Sequence, residues 1–170
     1  MNHFTSIKDI KDPQQLVKKA LEFKANPWQP DFAKGKKVGL IFLNPSLRTR
    51  LSTQLAARNL GAEAVVLDIG SEGWALEFED GVLMNGQKAE HIKEAAGVLG
   101  QYFDVIGVRT FPSLQDREKD YAEKWLEAFK KYTGKPILSL ESATLHPLQS
   151  LADWMTMAEN WQKSDMPKVV

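Results

Sequence analysis

The sequence contains no cysteine. Disulfides, zinc–thiolate sites and thiol nucleophiles are therefore excluded. Neither charge is in excess, with 22 Lys and Arg against 22 Asp and Glu. A neutral chain has no long-range field to draw in nucleic acid or an acidic membrane, so any anion site must be built locally. No apolar run approaches the ~20 residues of a membrane span. The opening MNHFTSIKDI lacks a basic-then-apolar signal pattern, so a soluble cytoplasmic protein is the expectation. The nucleotide loops are missing as well. Gly35-Lys36 has no upstream glycine to make G-x-x-x-x-G-K-[ST], and no G-x-G-x-x-G occurs. Internal repeats and low-complexity segments are also lacking.

What remains is one domain's worth of chain, 170 residues with 43 % hydrophobic content, enough for a real core. Four short apolar runs read as strands: Lys37–Leu43, Ala64–Asp68, Asp104–Arg109 and Pro136–Leu140. Runs this continuous indicate strands covered on both faces, as in parallel sheets. Helical patterns surround them at Pro13–Lys24, Ser46–Asn59, Ala89–Leu99, Arg117–Tyr132 and Leu148–Trp161. Asp12 before Pro13 is a cap followed by a good first helical residue. Leu47, Leu51 and Leu55 share one face of the second helix, and Gly61 lies just past its end. The alternation predicts an α/β fold, an open four-stranded parallel sheet flanked by helices. Pro167–Val170 reads either as the start of another strand or as a frayed tail.

Ligands of open parallel sheets sit beyond the carboxyl ends of the strands. After the first run comes Asn44-Pro45-Ser46-Leu47-Arg48-Thr49-Arg50. Ser46 is a natural helix cap, and a helix start offers free N–H groups and a positive dipole end to an anion. Arginine forks match phosphate oxygens in pairs. The plainer alternative is a capped helix with solvated or ion-paired arginines. Arg109 closes the third run, where it either meets a ligand or reaches solvent. After the fourth run come Glu141 and then His146-Pro147-Leu148-Gln149. His146 is a candidate acid, base or neutral donor, although a histidine beside proline is more often structural. Trp74 lies in a long stretch that continues through Asn85-Gly86-Gln87-Lys88. Its residues alone favour a sheet-edge cover over a functional loop. His91 reads as a surface residue. Each feature is weak by itself, but all come after strands of one sheet.

Ser46-Leu47-Arg48-Thr49-Arg50 resembles the S-x-R-T-R motif of the aspartate and ornithine carbamoyltransferases. His146-Pro147-Leu148-Gln149 resembles their H-P-x-Q motif, with Ser46 and His146 a hundred positions apart. Arg109 falls where that family has its third-strand arginine. The stretches Gly73-Trp74, Val82–Gly86, Glu90-His91-Ile92 and Ile106–Arg109 look most like the acylornithine branch. Leu148, where ordinary ornithine enzymes usually carry Cys, leans toward the N-succinylornithine enzymes. Ala89 stands where succinyl-type members have Pro and acetyl-type members have Glu. Ala leaves room and removes a charge that would repel a succinyl carboxylate.

The resemblance implies a carbamoyl-phosphate-binding domain over residues 1–166, with 167–170 beginning an amino-acid-binding domain. It implies carbamoyl transfer to the δ-amine of an N-acylornithine in arginine biosynthesis. Ornithine itself as acceptor, or a stand-alone carbamoyl-phosphate-binding module, are the alternatives. Ser46, Leu47, Arg48, Thr49, Trp74, Arg109, His146, Pro147, Leu148 and Gln149 would bind carbamoyl phosphate. Arg109, His146 and Gln149 would be catalytic, and Glu141 and Ala89 would face the amino-acid substrate. Trp74 would reach a neighbour's site within a homotrimer. Arg50 would be structural, pairing with a carboxylate of its own domain. Neither metal nor organic cofactor is implied.

Overall fold

A computed structural model describes residues 3–69, 74–79, 81–84 and 88–161. Strands β1 (His3–Phe4), β2 (Lys37–Phe42), β3 (Glu63–Asp68), β6 (Val105–Arg109) and β7 (Ile137–Glu141) form one sheet in the order β1-β7-β6-β2-β3. Every pairing is parallel. Strands β4 (Leu76–Glu77) and β5 (Glu90–His91) make a separate parallel pair. The helices are α1 (Pro13–Ala25), α2 (Leu47–Asn59), α3 (Ile92–Tyr102), α4 (Arg117–Tyr121), α5 (Lys124–Tyr132) and α6 (Pro147–Asn160).

The expected open parallel sheet is present, with a fifth strand at one edge. β1 is two residues long, too short for any periodic signal. His3 helps to hold it, because its Nδ1 accepts the Ile137 N–H at 3.2 Å. The expected helix over Arg117–Tyr132 is two helices, because Glu123 adopts a left-handed conformation at φ 48°. The helix expected from Ala89 begins at Ile92, since Glu90 and His91 are extended. The expected strand at Pro167–Val170, and with it any domain start there, lies outside the described residues. So do Gly73 and the segment Asn85–Gln87.

Alternation along the strands sorts the core into two layers. Ile41, Ile106, Val108 and Ile137 face α3 and α5, meeting Ala95, Ala96, Leu99, Leu126 and Phe129. Leu40, Phe42 and Leu140 face the other way, where Leu148 of α6 joins them. Strands covered on both faces explain why the runs read as continuously apolar. Gly61 ends α2 at φ 80° and lies hard against the Pro30 carbonyl, so a side chain there would meet both strain and collision.

The register aligns the carboxyl ends of the strands. Phe42 pairs with both Asp68 and Arg109, and Arg109 pairs with Glu141 across a bulge in the ladder. Strand order also reverses beside β2: the chain goes out from β2 to β3, then crosses to β6 and β7 on the other side. Clefts form at such reversals. Among the described residues, no helix is long and apolar enough to cross a membrane.

The β4–β5 pair has its own anchor. The Glu77 carboxylate accepts from the N–H groups of Phe78 at 2.7 Å and Glu79 at 2.9 Å, and from Lys88 at 2.9 Å. These donors, the Glu79 amide foremost, pull its pKa from an ordinary 4.5 down to about 2. A carboxyl held this low stabilises the fold fully above its ordinary value and loses that contribution as pH falls. Urea midpoints should therefore decline between pH 4.5 and about 2, and Glu77→Gln should flatten that decline.

Candidate active site

Helix α2 starts where Pro45 ends the extended chain, and Ser46 caps it by accepting the Thr49 N–H at 3.3 Å. Leu47 and Arg48 head the helix with N–H groups that have no preceding carbonyl to meet. Helix α6 starts in the same manner. Pro147 occupies its first turn, and His146 caps it through Nδ1, which accepts the Gln149 N–H at 3.3 Å. An accepting Nδ1 places the imidazole proton on Nε2, leaving His146 a neutral donor.

These two helix starts face one cleft of about 510 Å³, lined by Ser46, Arg48, Thr49, Ser52, Thr53, Arg109, Leu140, Glu141, His146, Leu148 and Gln149. The size suits a small-molecule site. Two helix N-termini and the Arg48 guanidinium supply local positive potential. Arg48 is exposed and makes no ion pair among the described residues.

Arg109 is the buried member, 7 % exposed. Its Nη1 donates to the carbonyls of Asn44 at 3.2 Å and Pro45 at 2.8 Å. Its Nη2 donates to the Glu141 carboxylate at 3.0 Å. The Phe111 ring lies over the guanidinium, 4.0 Å from it. Its Nε–H is buried without a partner among the described residues. A solvated strand end is ruled out by this burial.

Gln149 shows a further constraint. Its amide nitrogen donates to Asp153 at 2.8 Å, one turn along α6. A carboxylate can only accept, so the Gln149 carboxamide oxygen is left free to accept in turn.

The structure thus gathers Ser46, Arg48, Thr49, Arg109, Glu141, His146, Leu148 and Gln149 in one cleft. Leu47 contributes only its position in the first turn, since its side chain is 73 % exposed. Pro147 is buried and faces an apolar hollow with Pro13, Leu16 and Trp154. Arg50 reaches Asp68 at 3.9 Å, as its structural reading requires. Trp74 and Ala89 do not line the cleft. Trp74 packs half-buried against its own core, and the Ala89 N–H donates to the Ala75 carbonyl at 2.9 Å. The two therefore sit together at the start of the β4–β5 pair. Glu141 meets Arg109 as well as the cleft. His91 is no bare surface residue: it caps α3 through the Lys93 N–H and bonds the Glu79 carbonyl.

Sequence reasoning missed Ser52 and Thr53. They lie three and four positions after Thr49, one helical turn on, and that spacing was the available signal. Their hydroxyls donate to the Thr49 carbonyl at 3.2 and 2.7 Å.

The fold and cleft define a class, the open parallel α/β domains whose functional cleft lies at the carboxyl edge of the sheet. Within it, the chain belongs to the aspartate/ornithine carbamoyltransferase family, matching its carbamoyl-P binding domain over residues 2–159. It is 47 % identical to the N-succinylornithine carbamoyltransferase of Bacteroides thetaiotaomicron over 171 residues, covering 100 % of this chain and 54 % of that protein. It is 40 % identical to the N-acetylornithine carbamoyltransferase of Xanthomonas axonopodis pv. citri, covering 98 % of this chain and 48 % of that protein. Among solved structures it resembles a glutamate-to-alanine variant of N-acetyl-L-ornithine transcarbamylase complexed with carbamyl phosphate and N-succinyl-L-norvaline. There the TM-score is 0.89 at 40 % identity, over 98 % of this chain and 50 % of that one. The chain spans about half the length of the curated relatives it matches.

Arg109→Lys should test the knot at the strand ends. Lysine keeps the charge but cannot bridge two carbonyls and a carboxylate at once. Urea denaturation should show a loss on the order of 2 kcal/mol, against under about 0.5 for a solvated strand end.

Proposed function

We infer that this chain is the carbamoyl-phosphate-binding part of an acylornithine carbamoyltransferase, with N-succinylornithine as its preferred acceptor. The observation that carries this reading is the single cleft in which two helix N-termini, Arg48, Arg109, His146 and Gln149 converge.

The phosphate would sit at the start of α2, on the N–H groups of Leu47 and Arg48 and the Arg48 guanidinium. Ser46 would turn aside to release the Thr49 N–H, which it occupies only at 3.3 Å. The carbamoyl oxygen would accept from His146 Nε2–H and Arg109. The carbamoyl amino group would donate to the Gln149 oxygen, which Asp153 leaves free. The δ-amine then attacks the carbamoyl carbon. A C–N bond forms, the C–O bond to phosphate breaks, and the amine proton leaves with the phosphate. Charge would grow on the carbamoyl oxygen, where these donors would stabilise it; one such donor is worth about 3 kcal/mol of barrier.

Glu141 would face the acceptor. Ala89 is read as the counterpart of the glutamate replaced in the N-succinyl-L-norvaline complex, and its lack of charge supports a succinyl group. Supplying Trp74 and Ala89 to a cleft they do not line calls for a neighbouring copy. Support comes from α2, where Leu47, Leu51 and Leu55 are 73, 51 and 54 % exposed in one stripe, and from Leu83 at 79 %. Apolar surface so arranged is covered in an assembly, here a homotrimer. On this reading the enzyme would serve arginine biosynthesis and act in the cytoplasm.

The deciding assay uses the full-length protein with carbamoyl phosphate against ornithine, N-acetylornithine and N-succinylornithine. N-succinylornithine should be favoured by about tenfold or more in kcat/KM. Equal or better use of ornithine would overturn the acylornithine assignment, and binding without turnover would make the domain a binding module. His146→Ala should lower kcat about a hundredfold with a much smaller change in carbamoyl-phosphate affinity. Arg48→Ala should instead abolish carbamoyl-phosphate binding by calorimetry. Leu51→Glu should shift the trimer toward monomer in sedimentation equilibrium, and an unchanged mass would show that the stripe is not the interface.

A further inference from the structure

We propose that Glu123 is a positioning residue. Its carboxylate, displayed from the break between α4 and α5, fixes the loop that presents His146 to the cleft. The proposal deepens the carbamoyl-transfer reading and rests on it for the role of His146.

Among the described residues, five of the six α-helices begin with a residue whose side chain folds back to cap its own first turn: Asp12, Ser46, His91, Asp116 and His146. Glu123, which begins α5, does not. Its side chain crosses to the residues just beyond β7. Oε1 accepts from the Ser142 hydroxyl at 2.7 Å, the Thr144 N–H at 2.9 Å and the Thr144 hydroxyl at 2.7 Å. Oε2 accepts from the Ala143 N–H at 3.2 Å. All four donors belong to three consecutive residues. Glu123 makes no ion pair among the described residues, so these contacts are its charge's main compensation.

The loop has its own closure. Ser142 N–H donates to the Leu145 carbonyl at 2.9 Å, and Leu145 N–H returns to the Ser142 hydroxyl at 3.2 Å. A hydroxyl has one proton, and the shorter contact to a carboxylate is the stronger claim on it. Glu123 therefore orients Ser142, and Ser142 orients Leu145, the residue before His146. At its other end the loop begins at Glu141, the partner of Arg109. Both ends are cleft residues, so the shape of this loop sets the distance between them.

The backbone points the same way. Glu123 sits at φ 48° and ψ 39°, a region that favours glycine. Nothing in the surrounding sequence asks for it, and a glutamate favours continued helix. Such a conformation persists where the surroundings over-determine it, and here the four loop donors do so.

The test uses the full-length protein with Glu123→Gln, which keeps size and loses the charge, and Glu123→Gly, which also relieves the backbone. Amide exchange at Ala143 and Thr144 should rise about tenfold or more, while β2 and β6 amides keep their protection. The His146 imidazole signal in nitrogen NMR, assigned by its loss in His146→Ala, should shift. Transferase kcat should fall about tenfold with the carbamoyl-phosphate KM held within about threefold. The same pattern in both variants supports positioning by the carboxylate. An unmoved His146 signal with unchanged kcat, or loss of kcat only in step with global unfolding in urea, would overturn it. Should the unsubstituted protein show no transferase activity, the functional reading falls, while exchange and the imidazole signal still decide whether Glu123 sets the loop.

Discussion

One guanidinium holds the working edge of this domain together. Arg109 closes the central strand β6 and ties the carbonyls of Asn44 and Pro45, before α2, to the carboxylate of Glu141 at the end of β7. Its side chain bridges the chain entering α2 and the end of β7 directly. A guanidinium has five N–H donors in a rigid fork. Three are committed to these partners, and the buried Nε–H has none among the described residues. An orphaned buried donor is unfavourable by about 1–3 kcal/mol, an amount the committed bonds at this edge must offset. On the proposed reaction, the residue that makes the fold cohere at this edge would also be a donor to the substrate.

The rest of the site is set by parallel topology acting on a neutral chain. With 22 charges of each sign, no net field collects anions. The cleft supplies its own. Strands β2 and β7 flank β6 in the same direction, so the helices after them begin at the same edge and turn their positive ends toward one volume. Ser46 and His146, both N-caps, stand at those ends. The cap geometry does more for His146 than end a helix: by occupying Nδ1 it assigns the proton to Nε2. Asp153 does the equivalent for Gln149 by claiming its amide nitrogen. One helix, α6, thus presents a fixed donor and a fixed acceptor within one turn.

Features coded by short-range chemistry were legible in the sequence. The four long strands and the capping by Asp12 and Ser46 are local patterns, and the structure reproduces them. Cleft membership of Arg109, His146 and Gln149 was legible because a parallel sheet brings the carboxyl ends of its strands, and the residues just past them, to one edge. The unreadable parts depend on distant partners. β1 exists because Ile137 donates to His3, far along the chain. The break at Glu123 answers a loop that comes some twenty residues later. The leucines of α2 show the limit of periodicity: spacing put Leu47, Leu51 and Leu55 on one face but says nothing about what covers it. In the single chain that face is open.

On the proposed reading, Trp74 and Ala89 show how residues outside the cleft of one copy could serve the cleft of another. Both stand on the β4–β5 unit, outside the cleft that would hold carbamoyl phosphate. That unit is stiffened independently: Glu77 gathers two amides and Lys88, and the Ala89 N–H is fixed to Ala75. A residue held this firmly can discriminate by size and charge without drawing on the strand-end network around Arg109. Under the proposed assembly, the unit would be presented by one copy to the cleft of another. A change at Ala89 would then alter which acyl group is tolerated while leaving the carbamoyl donors in place. The separation is physical, since no hydrogen bond links Glu77, Lys88 or Ala89 to the residues lining the cleft among those described. Substrate range in such an arrangement could vary at a single position beside β5, whereas Arg109 and Glu141 at the strand ends are coupled directly by their ion pair.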